Sequence, residues 1–87
     1  MKFTRQAAAD LEFWKRSNPA TVRRIKRLLN DIEASPFSGL GKPEALKHDL
    51  AGWWSRRITG EHRLVYRVNN GQIEVASLRF HYAKPRK

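Results

Sequence analysis

From Trp53 onward the apolar residues recur at every second position, whereas between Gln6 and Ile32 they recur at helical spacing. A chain of 87 residues that passes from one period to the other can close only one core, with its helices laid against one face of its sheet. WWSRRIT, HRLVYRV and QIEVASLRF read as three strands, joined through Thr59-Gly60-Glu61 and Asn69-Asn70-Gly71. Upstream, residues 6–17 place Ala7, Leu11 and Trp14 on one helical stripe. Asn18 then supplies an N-cap and Pro19 a first-turn residue, so a second helix starts there with Val22, Ile25, Leu28, Leu29 and Ile32 on its buried side. Arg23, Arg24, Lys26 and Arg27 lie around the other side. The Pro and Gly punctuation of residues 35–43 marks a loop. With a short strand at residues 2–5 the order is β-α-α-β-β-β, an α+β fold with two helices on one face of an antiparallel sheet. One domain is expected over residues 1–82, followed by a basic, mobile tail at 83–87.

Eighteen Lys and Arg against eight Asp and Glu leave a net charge of +10, a field that draws polyanions such as a phosphate backbone or an acidic protein. The chain has no cysteine, which removes disulfides, thiolate nucleophiles and zinc ribbons. No apolar run approaches the length of a membrane span, and the first residues are too short and too charged for a signal sequence. A soluble protein of the cytoplasm is expected. His48, His62 and His81 lack the spacing of a metal site, and there is no P-loop or GxGxxG, so neither a metal nor a cofactor is expected.

The last hairpin decides whether its polar residues meet. A two-residue Asn70-Gly71 turn makes Val68 face Ile73, and strict alternation then puts Arg63 and His81 on opposite sides of the sheet. A three-residue loop with Gly71 in the left-handed position makes Val68 face Gln72 instead. That register gathers Leu64, Tyr66, Val68, Ala76, Leu78 and Phe80 toward the helices, and Arg63, Val65, Arg67, Val75, Ser77, Arg79 and His81 on an open cationic face. The three-residue register is the expected one, since a slip would drive arginines into the core. A β-bulge later in the strand reaches the same outcome by another route. In the preceding strand Trp53, Ser55 and Arg57 alternate with Trp54, Arg56 and Ile58, and parity leaves open which arginine joins the open face.

Such a face has the groups that cleave RNA. A base must take the proton of a ribose 2′-OH, an acid must protonate the departing 5′-oxygen, and a cation must hold the charge that develops on phosphorus. Glu44, His81 and Arg63 are the candidates. A second reading treats Glu44 as an exposed carboxylate balancing Lys42 and Lys47, His81 as a surface histidine, and the arginines as solvated. One of Trp53 and Trp54 is expected in the core, and the other is a candidate platform for base stacking. Tyr82 is either a stacking group or a packing residue. Glu61, Arg67, Arg79 and Trp53 are secondary candidates.

The run SPFSGLGKPEALKHDLAGWWSRRITGEHRLVYRV with the closing LRFHY resembles the YoeB-type toxins of the RelE superfamily. The likeness covers nearly the whole chain, and GKPE-LKH, WSRRIT-EHRLVY and HY are specific as a set. It implies a RelE-like fold and a toxin that cuts mRNA in the A site of the 70S ribosome, beside 16S rRNA. It also implies that Glu44 is the general base, His81 the general acid and Arg63 the group that stabilises the scissile phosphate. Lys47, Arg57 and Tyr82 match residues that assist positioning, which turns Arg57 rather than Arg56 to the open face. A neutralising antitoxin of the YefM type is implied as partner, and a homodimer is a candidate assembly. The chain departs from the family in continuing past the HY pair with AKPRK, a basic extension suited to RNA phosphate. Two other functions compete: a toxin of the same fold with a protein target, as the related ParE branch acts on gyrase, and a non-catalytic basic RNA-binding module.

Overall fold

The computed structural model describes residues 1–79; Phe80 to Lys87, and with them His81, Tyr82 and the basic tail, lie outside the described residues. Its elements are β1 (Lys2–Phe3), α1 (Arg5–Ser17), α2 (Pro19–Ala34), β2 (Glu44–Ala45), a 3-10 turn (His48–Leu50), β3 (Trp54–Arg57), β4 (Arg63–Asn69) and β5 (Gln72–Ser77). The α+β order is the expected one. The sheet differs in two respects. Its strands run β1-β5-β4-β3-β2, and β1 pairs parallel with β5 while the other pairs are antiparallel. It also gains a fifth strand, β2, from the segment that follows the Gly- and Pro-rich loop.

Side chains set the helix boundaries. Thr4 caps α1 by accepting the Ala7 N–H at 3.1 Å, and its hydroxyl donates across to the Ala76 carbonyl at 2.7 Å. Asn18 serves both helices: its own N–H donates to the Trp14 carbonyl at 2.8 Å, and its side chain accepts from the Thr21 N–H at 3.3 Å. One residue therefore ends α1 and starts α2, with Pro19 contributing its preset φ. No helix among the described residues is long and apolar enough to cross a membrane.

Both helices pack on one face of the sheet. Ala7 and Trp14 of α1 and Ile25, Leu28 and Ile32 of α2 meet Leu64, Tyr66, Ile73, Val75 and Leu78 in the main core. A second, smaller cluster sits elsewhere: Leu46 and Leu50 fold over Val65, with Trp53 and Ala76 packed beside them. The face expected to be open is thus partly roofed by residues 46–50, and Val65 is only 2% exposed.

The hairpin corrects the expected register. Asn69 faces Gln72 and Val68 faces Ile73, a two-residue turn in which Asn70 and Gly71 both have positive φ (54° and 74°). This primed turn matches the right-handed twist of the strands, and Asn-Gly is the pair that adopts it with least strain. The register then shifts between Val65 and Tyr66, which pair with Ser77 and Val75 respectively. Ala76 is the extra residue of a β-bulge. Val75 consequently lies in the main core rather than on the cationic face, and Ala76 packs against the small cluster rather than the helices. Regular pairing of β5 stops at Ser77, short of the expected Phe80. Leu78 is passed to α1, whose Asp10 accepts its N–H at 2.9 Å and whose Trp14 indole donates to its carbonyl at 2.9 Å.

Candidate functional site

Glu44 of β2 pairs with Ser55 of β3, Ser55 with Val65 of β4, and Arg57 with Arg63. Directly opposed residues share a face, so Glu44, Ser55, Arg57 and Arg63 project from the same side of the sheet. Arg63 is the fixed point of this group, 7% exposed and held on several sides. Its Nε donates to the Ser55 hydroxyl at 2.8 Å, and its Nη2 donates to the carbonyls of Lys42 at 3.3 Å and Ser55 at 3.4 Å. The same Nη2 stands 3.7 Å from Oε1 of Glu44, whose side chain keeps 58% of its surface exposed. A guanidinium anchored by neutral acceptors retains its full charge for whatever approaches. Beside it, the carboxylate faces solvent.

Arg57 is exposed, with Nη1 donating to the Gly60 carbonyl at 3.4 Å. Lys47 is also exposed and follows Glu44 along one shallow hollow lined by residues 44–48 and Leu50. Trp53 lies on this side of the sheet within the small cluster, and the Arg67 guanidinium sits 4.5 Å from its ring centroid. Arg67 is tied to Glu74 at 2.6 Å, so it is oriented rather than freely solvated. Trp54, its neighbour in sequence, packs against the main core and contacts Phe37.

Two secondary candidates are directed elsewhere. Glu61, in the β3–β4 turn, stands 3.8 Å from His62 Nε2, and that imidazole packs edge-on against Trp14 of α1. Arg79 lies with its guanidinium 3.7 Å from the Phe13 ring centroid on α1, a correction to its expected place on the cationic face. Its strand has already ended, and the bend after the bulge turns it toward the helix. His81 and Tyr82 fall outside the described residues. Among the described residues no group of three or more His, Asp or Glu side chains is placed to hold a metal.

Sequence reasoning passed over Ser55, the residue that grips Arg63. Its signal was the alternation of Ser55 with Arg57, which puts a small hydroxyl on the arginine face. Strand parity left the arginine pair undecided; the family resemblance turned Arg57 to the open face, and the tertiary structure agrees. Arg56 has 0% exposure, with Nη1 on Asp31 at 2.6 Å and Nε on the Tyr66 hydroxyl at 3.2 Å. The Leu40 N–H and the Arg56 guanidinium hold the Asp31 carboxyl below its ordinary range, and burial pushes the Tyr66 phenol up.

A family model described as the YoeB-like toxin of bacterial type II toxin-antitoxin systems matches residues 3–82. Toxin YoeB of Mycobacterium bovis is 46% identical over 82 residues, covering 94% of this chain and 96% of the relative. Among solved structures, the YoeB/ParE toxin from Agrobacterium tumefaciens is 52% identical with a TM-score of 0.89, covering 94% of this chain and all of the other. The toxin of a heterotetrameric YoeB-YefM complex from Staphylococcus aureus is 41% identical with a TM-score of 0.86, covering 93% and 94%. Close likeness in sequence and in fold over nearly the full length leads to one assignment: the chain belongs to the YoeB-like toxins of bacterial type II toxin-antitoxin systems.

Proposed function

We propose that this toxin is a ribosome-dependent endoribonuclease that cuts mRNA in the A site and so stops translation. The observation that carries this reading is the solvent-facing Glu44 carboxylate set 3.7 Å from the anchored Arg63 guanidinium. Glu44 takes the proton of the ribose 2′-OH, and the 2′-oxygen attacks the adjacent phosphorus. As the P–O5′ bond breaks, His81 delivers a proton to the 5′-oxygen, leaving a 2′,3′-cyclic phosphate and a free 5′-OH. Arg63 offsets the negative charge that builds on the non-bridging oxygens, where a pre-fixed donor needs no reorganisation. Lys47, Arg57 and Tyr82 hold the message in place. Both proton transfers belong to side chains, so the reaction calls on no metal or cofactor. DNA, lacking the 2′-OH, is not a substrate.

The hollow beside Glu44 is shallow, which suits an enzyme whose substrate geometry comes from the ribosome rather than from a pocket of its own. The net charge of +10 favours approach to rRNA, and the same charge suits an acidic segment of a YefM-type antitoxin laid over the face. Such a pair works in the cytoplasm, and the toxin apart from its antitoxin forms a homodimer. The test mixes purified toxin with ribosomes carrying a defined mRNA, with free mRNA in parallel, and maps new 5′ ends. A single cut in the A-site codon, absent from free mRNA, is the expected result. Intact message on the ribosome would refute the reading and favour a protein target or a binding role.

A further inference from the structure

Arg56 is a fully buried cation, and a buried guanidinium is tolerated only where its donors are met. Here they are met chiefly by one loop. Nη2 donates to the carbonyls of Ser35 at 2.6 Å and Ser38 at 2.9 Å, and Nη1 donates to Leu40 at 3.2 Å as well as to Asp31. The Tyr66 hydroxyl, which accepts from Nε, donates onward to Pro36 at 2.5 Å. Asp31 also accepts the Leu40 N–H at 2.9 Å. Gly39 has φ +117°, and a Cβ on it would collide with the Asp31 carboxylate, so the loop closes on the ion pair as tightly as a backbone can.

The loop leads straight into the site. The Gly41 carbonyl accepts the Arg57 N–H at 2.7 Å, the Lys42 carbonyl accepts from Arg63, and two residues later Glu44 opens β2. β2 is two residues long, too little ladder to set its own register. We propose that Arg56 and Asp31 are positioning residues for the reaction: they fix residues 35–43, and that loop sets Glu44 against Arg63. The inference rests on the ribonuclease reading of the same site. Alternation along β3 makes the device compact. Ser55 and Arg57 lie on the site face, and Arg56 between them reaches through to the other face to tie down the loop that brings Glu44 in. Hydrophobic side chains of similar volume fill such a space with comparable stability. What they lack is the directed set of donors that fixes three separate backbone carbonyls, those of Ser35, Ser38 and Leu40.

The experiment compares Asp31→Asn and Arg56→Lys with the unaltered toxin on ribosomes programmed with a defined mRNA, reading kcat and KM separately. Both variants are expected to lose about 10- to 100-fold in kcat with KM nearly unchanged, as a misplaced base costs turnover rather than docking. Hydrogen exchange at the amides of residues 42–45 is expected to quicken. Val22→Ala, which loosens α2 against the main core, serves as the control for instability: its Tm falls while its kcat, measured well below that Tm, holds. If Arg56→Lys fails to fold, Asp31→Asn and Tyr66→Phe carry the comparison. Unchanged kcat in Asp31→Asn, beside loss of cleavage in Glu44→Gln, overturns the positioning role alone. A fall of kcat in Val22→Ala as steep as in Asp31→Asn also overturns it, by making the effect one of stability. Uncut message with the unaltered toxin overturns the ribonuclease reading and this inference with it.

Discussion

Asp10 offers the sharpest test of how the C-terminal part of the sheet is held. The residue is 2% exposed on α1, with Oδ2 accepting the Leu78 N–H at 2.9 Å and Oδ1 accepting from Gln6 at 2.7 Å. β5 has stopped pairing at Ser77, so without Asp10 the Leu78 N–H would be buried with its ladder partner already gone. A hydrogen bond to a charged group is worth about 1.5–3 kcal/mol, and a buried N–H left unpaired costs about 1–3 kcal/mol. These describe one loss seen from two sides, so Asp10→Ala should cost about 2–3 kcal/mol. A domain of 87 residues has roughly 4–13 kcal/mol of stability in total, and each kcal/mol moves its Tm by about 4–8 °C. The expected fall is about 8–24 °C. Asp10→Asn keeps a carbonyl oxygen for the Leu78 N–H but loses the charge and sets an NH2 where Oδ1 accepts from Gln6, so it should fall, though less far than the alanine variant. Urea and thermal unfolding followed by far-UV circular dichroism measure both. A Tm for Asp10→Ala within about 2 °C of the unaltered protein would refute the reasoning. So would an Asp10→Asn variant as unstable as the alanine one.

Gly71→Ala should cost about 1–2 kcal/mol through backbone strain alone, because its φ is +74° and no atom lies within 4 Å of the added Cβ. Gly60→Ala, with the same open surroundings and no positive φ, should be neutral or slightly stabilising; equal losses at the two glycines in urea unfolding would count against the primed turn. The depressed Asp31 carboxyl contributes stability that is complete above the unfolded value and is lost as pH falls through the lower folded one. The stability gap between the unaltered protein and Asp31→Asn should therefore be constant from about pH 5 to 7 and shrink below about pH 4, which urea midpoints across that range will read. Glu44→Gln should lower cleavage on programmed ribosomes by about 10²- to 10⁴-fold. Its Tm should barely move, because the 3.7 Å contact is long, Glu44 is 58% exposed, and the buried Arg63 keeps its bonds to Ser55 and Lys42; a solvent-screened pair is worth about 0–1 kcal/mol.

Local chemistry was legible where a residue's effect reaches only its neighbours. Asn18-Pro19 marked the junction of α1 and α2, since a cap and a preset φ act within one turn of helix. The alternation of Arg63, Val65 and Arg67 gave β4, and Glu44 and Arg63 could be named as chemically suited groups before any geometry, whereas Arg57 came only from the family resemblance. Their presence on one face came from strand pairing, which brings residues 44, 55 and 63 together across long stretches of chain.

The rest depended on contacts that no local pattern encodes. Asn-Gly allowed the primed turn, yet keeping arginines out of the core argued for a three-residue loop; the bulge at Ala76, in sequence only a second route, is a property of two strands together and is fixed only once both are paired. Parity could not separate Arg56 from Arg57 or Trp53 from Trp54, because neighbours on a strand differ only in what lies above and below the sheet. The loop carbonyls and Asp31 lie on one side of the sheet and Ser55, Arg57 and Arg63 on the other, and that separates Arg56 from Arg57. By itself the sequence determined both helices, the three long strands, their order and the charge, features set by composition or within a few residues, while β2 escaped it. The tertiary structure supplied the partners that bury Arg56, and it alone decided that residues 46–50 roof part of the sheet and where the last strand breaks off. Those outcomes turn on the burial of charge and backbone polar groups, whose partners come from distant parts of the chain.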